Sequence, residues 1–305
     1  MKLSRRESIK LAAGLAGSML ISNRALFAQN NLILKTIHSS GEKVPAVGIG
    51  ARNYRDEWGD RETYKATIKI FNELGGKIID SAPSYGNSEE VVGAIVRELG
   101  IKNNLFIASK VDREGKQNGI NGIENSINLL DKDPIDLMQV HNLIDVETQL
   151  ETLYELKDQG RLKYVGVTVW ESHEHQSVID LINNGHALDF VQVDYAIDSR
   201  DSADRLLPLA LDNGVSILVN VPFGRNRLFD LTSGLDLPGW ALDLGCQTWA
   251  QVFLKYVISH PAVTCAIPGT TKPHHAEDNI GASTGELPDS NLRLEMEKFI
   301  DALTV

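Results

Sequence analysis

The sequence predicts an α/β fold, a single closed (β/α)8 barrel, and three observations predict it. Eight short runs rich in β-branched residues recur along the chain, seven of the gaps between and after them hold stretches of helical period, and ionisable residues gather where the runs end. The runs are Val44–Gly50, Lys77–Ala82, Leu105–Val111, Asp136–Asn142, Tyr164–Trp170, Phe190–Ala196, Ser216–Pro222 and Thr264–Gly269. The amphipathic stretches are Arg61–Leu74, Ser88–Leu99, Gly119–Leu130, Val146–Gln159, Ser172–Asn183, Asp201–Asp212 and Cys246–Ser259, and a last helix, Asp289–Leu303, packs outside. Strand and helix paired eight times close a parallel sheet on itself. No Pro/Gly/Ser-rich linker divides the chain, so one domain is expected over residues 32–305.

Composition agrees with one large core. The chain has 305 residues, 42% of them apolar, and a formal net charge of −11. Without residues 1–28, which carry five bases and one acid, the charge is −15. So acidic a body repels phosphate backbones and argues against a nucleic-acid partner. The two cysteines, Cys246 and Cys265, lie in apolar segments without metal-ligand spacing and read as buried free thiols.

The amino terminus is built differently. Ser4-Arg5-Arg6-Glu7-Ser8-Ile9-Lys10 precedes a small apolar run, Leu11 to Ile21, too short to span a bilayer stably. This resembles a twin-arginine signal, Ser/Thr-Arg-Arg-x-Phe-Leu-Lys, with Ser8 for the aromatic and Ile9 for leucine. The resemblance implies a leader over residues 1–28, the twin-arginine export machinery as a partner, and a periplasmic destination.

In a barrel of this kind functional groups collect at the carboxyl ends of the strands. The second run ends in Asp80 and leads to Tyr85, the third ends near Lys110 and the fourth near His141. Such groups are costly on a barrel rim unless they pair with each other or with a ligand, and their convergence suggests acid–base work. Singly, each has a plainer reading: a loop aromatic, a structural ion pair, a satisfied core histidine. Together at consecutive strand ends they favour catalysis.

Asp80-Ser81-Ala82-Pro83-Ser84-Tyr85-Gly86-Asn87-Ser88-Glu89, with Phe106 to Val111, Asp136 to His141, His260 to Thr264 and Ile267 to Thr271, resembles the aldo-keto reductase family along nearly the whole mature chain. The resemblance implies an NAD(P)H-dependent oxidoreductase that reduces a small carbonyl substrate, with Tyr85 as general acid, Lys110 and Asp80 as its supporting pair, and His141 orienting the substrate oxygen. The chemistry is coherent: hydride arriving at carbon builds negative charge on oxygen, and a phenol poised by a nearby ammonium can supply the proton.

Gly48-Ile49-Gly50 lacks the third glycine of a Rossmann fingerprint. The family instead lays an extended dinucleotide, NADPH with NADH as an option, across the barrel mouth. Carried over, its positions are Gly50, Ala51, Thr168, Gln192, Pro222, Phe223, Gly224, Arg225, Gly269, Thr270, Thr271, Lys272, His275, Asp278 and Asn279. Thr168 and Gln192 would hold the carboxamide, Asp278 and Asn279 would meet the adenine, and phosphates would favour the helix start near Pro273. Three positions depart from the family: Val169 replaces an asparagine, Asn220 an aromatic, and His275 an arginine that meets a 2′-phosphate, leaving Lys272 for that task.

Arg52, Tyr54 and Trp58 follow the first barrel strand, where they either line substrates or pack on the surface. His173, His175, His274 and His275 read as solvated surface, since neither spacing puts two rings on one helix face, and no metal site is expected. The stretch Arg225–Gly245 is long for a βα connection and either covers the cofactor or decorates the rim. Val169 and Asn220 keep a second function open, a cofactor-binding regulatory or redox-sensing barrel with little turnover; a metal-dependent barrel isomerase or lyase is a distant third.

Overall fold

A computed structural model describes residues 31–303, and the expected leader over residues 1–28 lies outside them. Eight parallel strands run in sequential order: β3 (Ile49–Gly50), β4 (Ile78–Asp80), β5 (Phe106–Val111), β6 (Ile135–His141), β7 (Leu162–Thr168), β8 (Phe190–Asp194), β9 (Ser216–Asn220) and β10 (Val263–Ala266). Bridges Val47–Ala266 and Gly50–Gly269 join the two ends. The Gly48 and Gly50 amides donate to Ala266 and Pro268 carbonyls at 2.8 and 2.9 Å, so the sheet keeps no open edge.

A hairpin precedes the barrel. Strands β1 (Leu34–Thr36) and β2 (Lys43–Pro45) pair antiparallel, and the expected run Val44–Gly50 is therefore two strands in two sheets. Pro45 has no N–H to continue a ladder, and the chain turns into the barrel after it. Ile37 and Val44 of the hairpin pack with Ile78, Phe106, Leu137, Tyr164, Phe190 and Leu218, the inward residues at the strand starts, and plug the amino-terminal end.

Strand periodicity carries this interior upward. On β5 the inward row is Phe106, Ala108, Lys110; on β6 it is Leu137, Gln139, His141; on β8 it is Phe190, then Gln192. Each begins apolar in the plug and ends polar at the carboxyl end. Outward residues such as Ile107, Met138, Val140 and Val191 pack against the helices in a second, larger core.

The helices are α1 (Arg61–Glu73), α2 (Ser88–Leu99), α3 (Lys116–Leu130), α4 (Val146–Asp158), α5 (His175–Asn183), α6 (Asp201–Asp204), α7 (Leu206–Asp212), α8 (Arg227–Leu231), α9 (Gly239–Asp243), α10 (Trp249–Ser259), α11 (Pro273–Gly281) and α12 (Ser290–Asp301). Asp60, Thr248 and Asp289 cap α1, α10 and α12 by accepting from backbone amides. The single helix expected over Asp201–Asp212 breaks between α6 and α7, because the ring of Pro208 cannot pass the carbonyl of Asp204 one turn back. Gly93 lets α2 approach α3 closely, since a Cβ there would lie 1.9 Å from the Leu129 carbonyl oxygen. The segment after β9 folds as α8 and α9. It packs outward, with Phe229 against Phe223 and Phe253 at ring separations of 4.9 and 5.7 Å. No helix of the described residues is long and apolar enough to cross a membrane.

Candidate active site

The polar upper layer opens into a cleft of about 650 Å³ at the carboxyl ends of the strands. At its floor the Lys110 ammonium donates to both Asp80 oxygens, at 2.7 and 2.9 Å, and to the Ser81 carbonyl at 2.8 Å. Asp80 and Ser81 together fix the ammonium, with Tyr85 a further partner. Both partners are almost fully buried. Burial alone would pull the Lys110 ammonium below its ordinary value, but Asp80 first and Tyr85 next outweigh it, and the group stays charged. Asp80 also accepts from Gln139 Nε2 at 3.3 Å and Gln192 Nε2 at 3.1 Å, so one carboxylate gathers side chains from β5, β6 and β8.

Tyr85 stands over this pair, its ring centroid 5.1 Å from Lys110 Nζ. A tight turn places it there. The Tyr85 amide donates to the Ala82 carbonyl, the Ser88 amide donates to the Tyr85 carbonyl, and Gly86 takes the left-handed φ of +63° that the reversal needs. Ser88 Oγ then donates to the Ala51 carbonyl at 2.6 Å, fastening the turn to the loop after β3. His141 faces Tyr85 edge to face, with ring centroids 6.1 Å apart. Burial first, and then the charge of Lys110, bring the His141 imidazole down to a pKa of about 4. It is therefore neutral, with one nitrogen to donate and one to accept.

The wall formed by β7 to β10 contains most of the remaining positions. Gly50, Thr168, Gln192, Pro222, Phe223, Arg225 and Gly269 line the cleft, and Ala51 lies beneath it with its amide on the Asp80 carbonyl. Thr168 pairs across the ladder with both His141 and Gln192. Gly224 is buried in the turn after Phe223. Farther out, Thr270 and Asn279 are buried and bonded to each other, the Thr271 carbonyl accepts from Thr67, and Asp278 accepts from Thr248 and Gln251. Lys272 and His275 are exposed at the start of α11. Asn220, where a ring was expected, instead ties β9 to β7 by donating to the Val169 carbonyl at 2.9 Å.

A dinucleotide fits this wall. Gln192 Oε1 and Asn220 Oδ1 are buried without a hydrogen-bond partner among the described residues, and both residues line the cleft. Such oxygens are costly unless a donor such as a carboxamide N–H₂ meets them. α11 begins with Pro273 and has no side-chain cap; with the His275 and Ala276 amides bonded to the Lys272 carbonyl, the His274 amide is the one its first turn offers to a phosphate oxygen.

Some lining residues escaped the sequence reading: Asn53, Arg55, Asn142, Trp170, Val221 and Asn226. Their signal was position, one to six residues past a strand end. Arg225 stacks on Trp170 at 4.1 Å. Six of the seven non-glycine residues with positive φ lie in the loops after β6 and β9; Val221, β-branched at +50°, is the most strained type. Two expectations are corrected. Tyr54 does not line the cleft but is fully buried against Tyr64, ring to ring at 4.8 Å. His175 is not solvated, because the first turn of α5 faces the end of β8 and its Nε2 bonds Asp194 at 2.8 Å. Cys246 and Cys265 are free and buried as expected, and burial pushes the Cys246 thiol up to about 11.

Comparison with known proteins agrees in fold. A model of the aldo/keto reductase family matches residues 46–297. Aldo-keto reductase YhdN of Bacillus subtilis (strain 168) is 29% identical over 202 residues, 60% of each chain. Methylglyoxal reductase YeaE of Escherichia coli (strain K12) is 29% identical over 270 residues, 85% of this chain and 93% of that one. A crystal structure of an aldo-keto reductase from Klebsiella pneumoniae in complex with NADPH superposes with a TM-score of 0.75 at 26% identity, covering 87% of this chain and 94% of its own.

Proposed function

The chain belongs to the aldo/keto reductase family and is an NAD(P)H-dependent oxidoreductase, and from that premise we propose that Tyr85 delivers the proton as a small aldehyde or ketone is reduced. The observation that carries this is the Tyr85 ring held 5.1 Å from an ammonium whose counter-ion is buried beside it. When bound, the nicotinamide supplies the hydride. The chain's residues do the rest. Tyr85 and neutral His141 flank the site of the carbonyl oxygen; His141 donates a hydrogen bond that orients it, and Tyr85 gives up its proton as negative charge develops there. Lys110 stabilises the phenolate left behind, and Asp80 keeps Lys110 in place.

For the cofactor, Gln192 Oε1 and the Thr168 hydroxyl offer partners to the carboxamide. Gly50 and Ala51 lie beside Asp80 at the inner end of the cofactor site, and Pro222, Phe223, Gly224 and Arg225 border the path of the diphosphate, with Gly269, Thr270, Thr271 and Lys272 at the start of α11. His275, Asp278 and Asn279 lie toward the adenosine end, where Asp278 and Asn279 act through the fold as much as through direct contact, since their side chains are engaged within it.

The barrel with little turnover is the competing reading, motivated by Val169 and Asn220. NADPH consumption with a panel of small aldehydes separates the two. Turnover on the order of 1–10³ s⁻¹ is expected of an enzyme; NADPH binding with no consumption across the panel would favour the sensor.

The leader over residues 1–28 supports export by the twin-arginine route to the periplasm. Cell fractionation after Arg5→Lys with Arg6→Lys is expected to find the protein retained in the cytoplasm. Unchanged delivery to the periplasm would remove this assignment.

A further inference from the structure

The charges around the cleft do not balance. Its lining includes three guanidinium groups, Arg52, Arg55 and Arg225, and one carboxylate, Asp80, which Lys110 neutralises. His141 is neutral. A chain of net charge −11 thus keeps a positive mouth over its reactive centre.

The three arginines differ in surroundings. Arg225 belongs to the wall assigned to the dinucleotide and lies flat on Trp170, so phosphates account for its charge. Arg52 stands in the loop after β3, which Ser88 fastens to the Tyr85 turn, and not in the segment after β9. Its guanidinium is exposed and has no hydrogen-bond or ion-pair partner among the described residues. The loop beneath it is fixed: the Ala51 amide donates to the Asp80 carbonyl at 2.7 Å, and Arg55 Nε donates to the Arg52 carbonyl at 3.1 Å. Arg55 stacks on Trp58 at 4.1 Å, and its Nη1 lies 3.5 Å from where a Cβ on Gly86 would be, beside Tyr85. Its Glu57 contact is 3.5 Å long to a carboxylate that is 67% exposed, a weak counter-ion.

We propose that Arg52, backed by Arg55, binds the anionic end of the substrate, and that this site reduces small aldehydes or ketones bearing a carboxylate or a phosphate. The inference rests on the reductase reading and names its substrate class. A planar guanidinium offers two parallel N–H groups to either anion. Fastened to the Tyr85 turn and to Asp80, this loop holds that anion while the carbonyl reaches Tyr85.

The test compares matched pairs with NADPH in excess: benzaldehyde with 4-carboxybenzaldehyde, and glyceraldehyde with glyceraldehyde 3-phosphate. In the wild-type protein the anionic member of at least one pair is expected to have about 10-fold or more the kcat/KM of the neutral one, mainly through KM. Arg52→Ala is expected to collapse that ratio to near unity and Arg52→Lys to keep part of it. The pair that responds identifies the anion. Calorimetry of the NADPH-loaded protein with benzoate, inorganic phosphate and benzyl alcohol reads binding without turnover. Arg52-dependent binding of an anion with no carbonyl reduced sinks the reductase reading and the substrate class with it, and leaves Arg52 as an anion site alone. Reduction without anion preference, or a preference that Arg52→Ala leaves intact, overturns this inference alone, and so does the absence of anion binding.

Discussion

Tyr85→Phe is expected to lower kcat for carbonyl reduction by about 10²- to 10⁴-fold, the range for loss of a general acid. The substitution removes one oxygen and keeps the ring above Lys110, so the fold and NADPH affinity are expected to stay near wild type. Rapid-mix kinetics and NADPH fluorescence measure the two separately; equal rates in the two proteins would take Tyr85 out of the reaction. The pH profile adds a second check. Burial and Lys110 hold His141 at a pKa of about 4, against the ordinary 6.5. Between those values an unfolded chain takes up a proton that the folded one refuses, so its stabilising contribution is complete above pH 6.5 and is lost as pH falls toward 4. An acid limb in kcat/KM that arises from His141 therefore lies near pH 4, and a midpoint near 6.5 that vanishes in His141→Gln would contradict the neutral imidazole.

Lys110→Met is expected to be damaging twice over. It leaves the Asp80 carboxylate buried without its ammonium, a loss on the order of 3–5 kcal/mol for a broken buried pair. In a domain of this size that lowers Tm by roughly 10 °C. It also removes the charge that stabilises a Tyr85 phenolate. The double variant Lys110→Met with Asp80→Asn keeps the shape and removes the stranded charge, so it is expected to regain much of the Tm but not the activity. Recovery of both would reduce the pair to a structural role.

Most of the barrel was legible because strands buried on both faces read as β-branched runs, and because period two places every second residue inward. That rule alone carries Lys110 and His141 to the cleft. The hairpin strand Leu34–Thr36 was not legible, since three residues with mostly exposed side chains leave no apolar pattern. Helical period alone joined Asp201–Asp212 and passed over Pro208, which breaks it. Tyr54 and Arg55 are neighbours in one loop, yet one is core and the other lines the cleft. That division depends on how the loop turns over Tyr64, which no spacing encodes. His175 was misread for a similar reason: its partner Asp194 is nineteen residues on, at the end of the next strand, and no local spacing pairs them.

Asp80 is tied by side-chain hydrogen bonds to three other strands, whereas the Arg52 guanidinium is tied to none. Substitutions at the first position therefore propagate through the chemistry of the whole centre, and those at the second stay local. Descendants of this sequence, natural or selected in the laboratory, can wander across new compounds by altering the loop after β3 while the reaction itself is inherited unchanged.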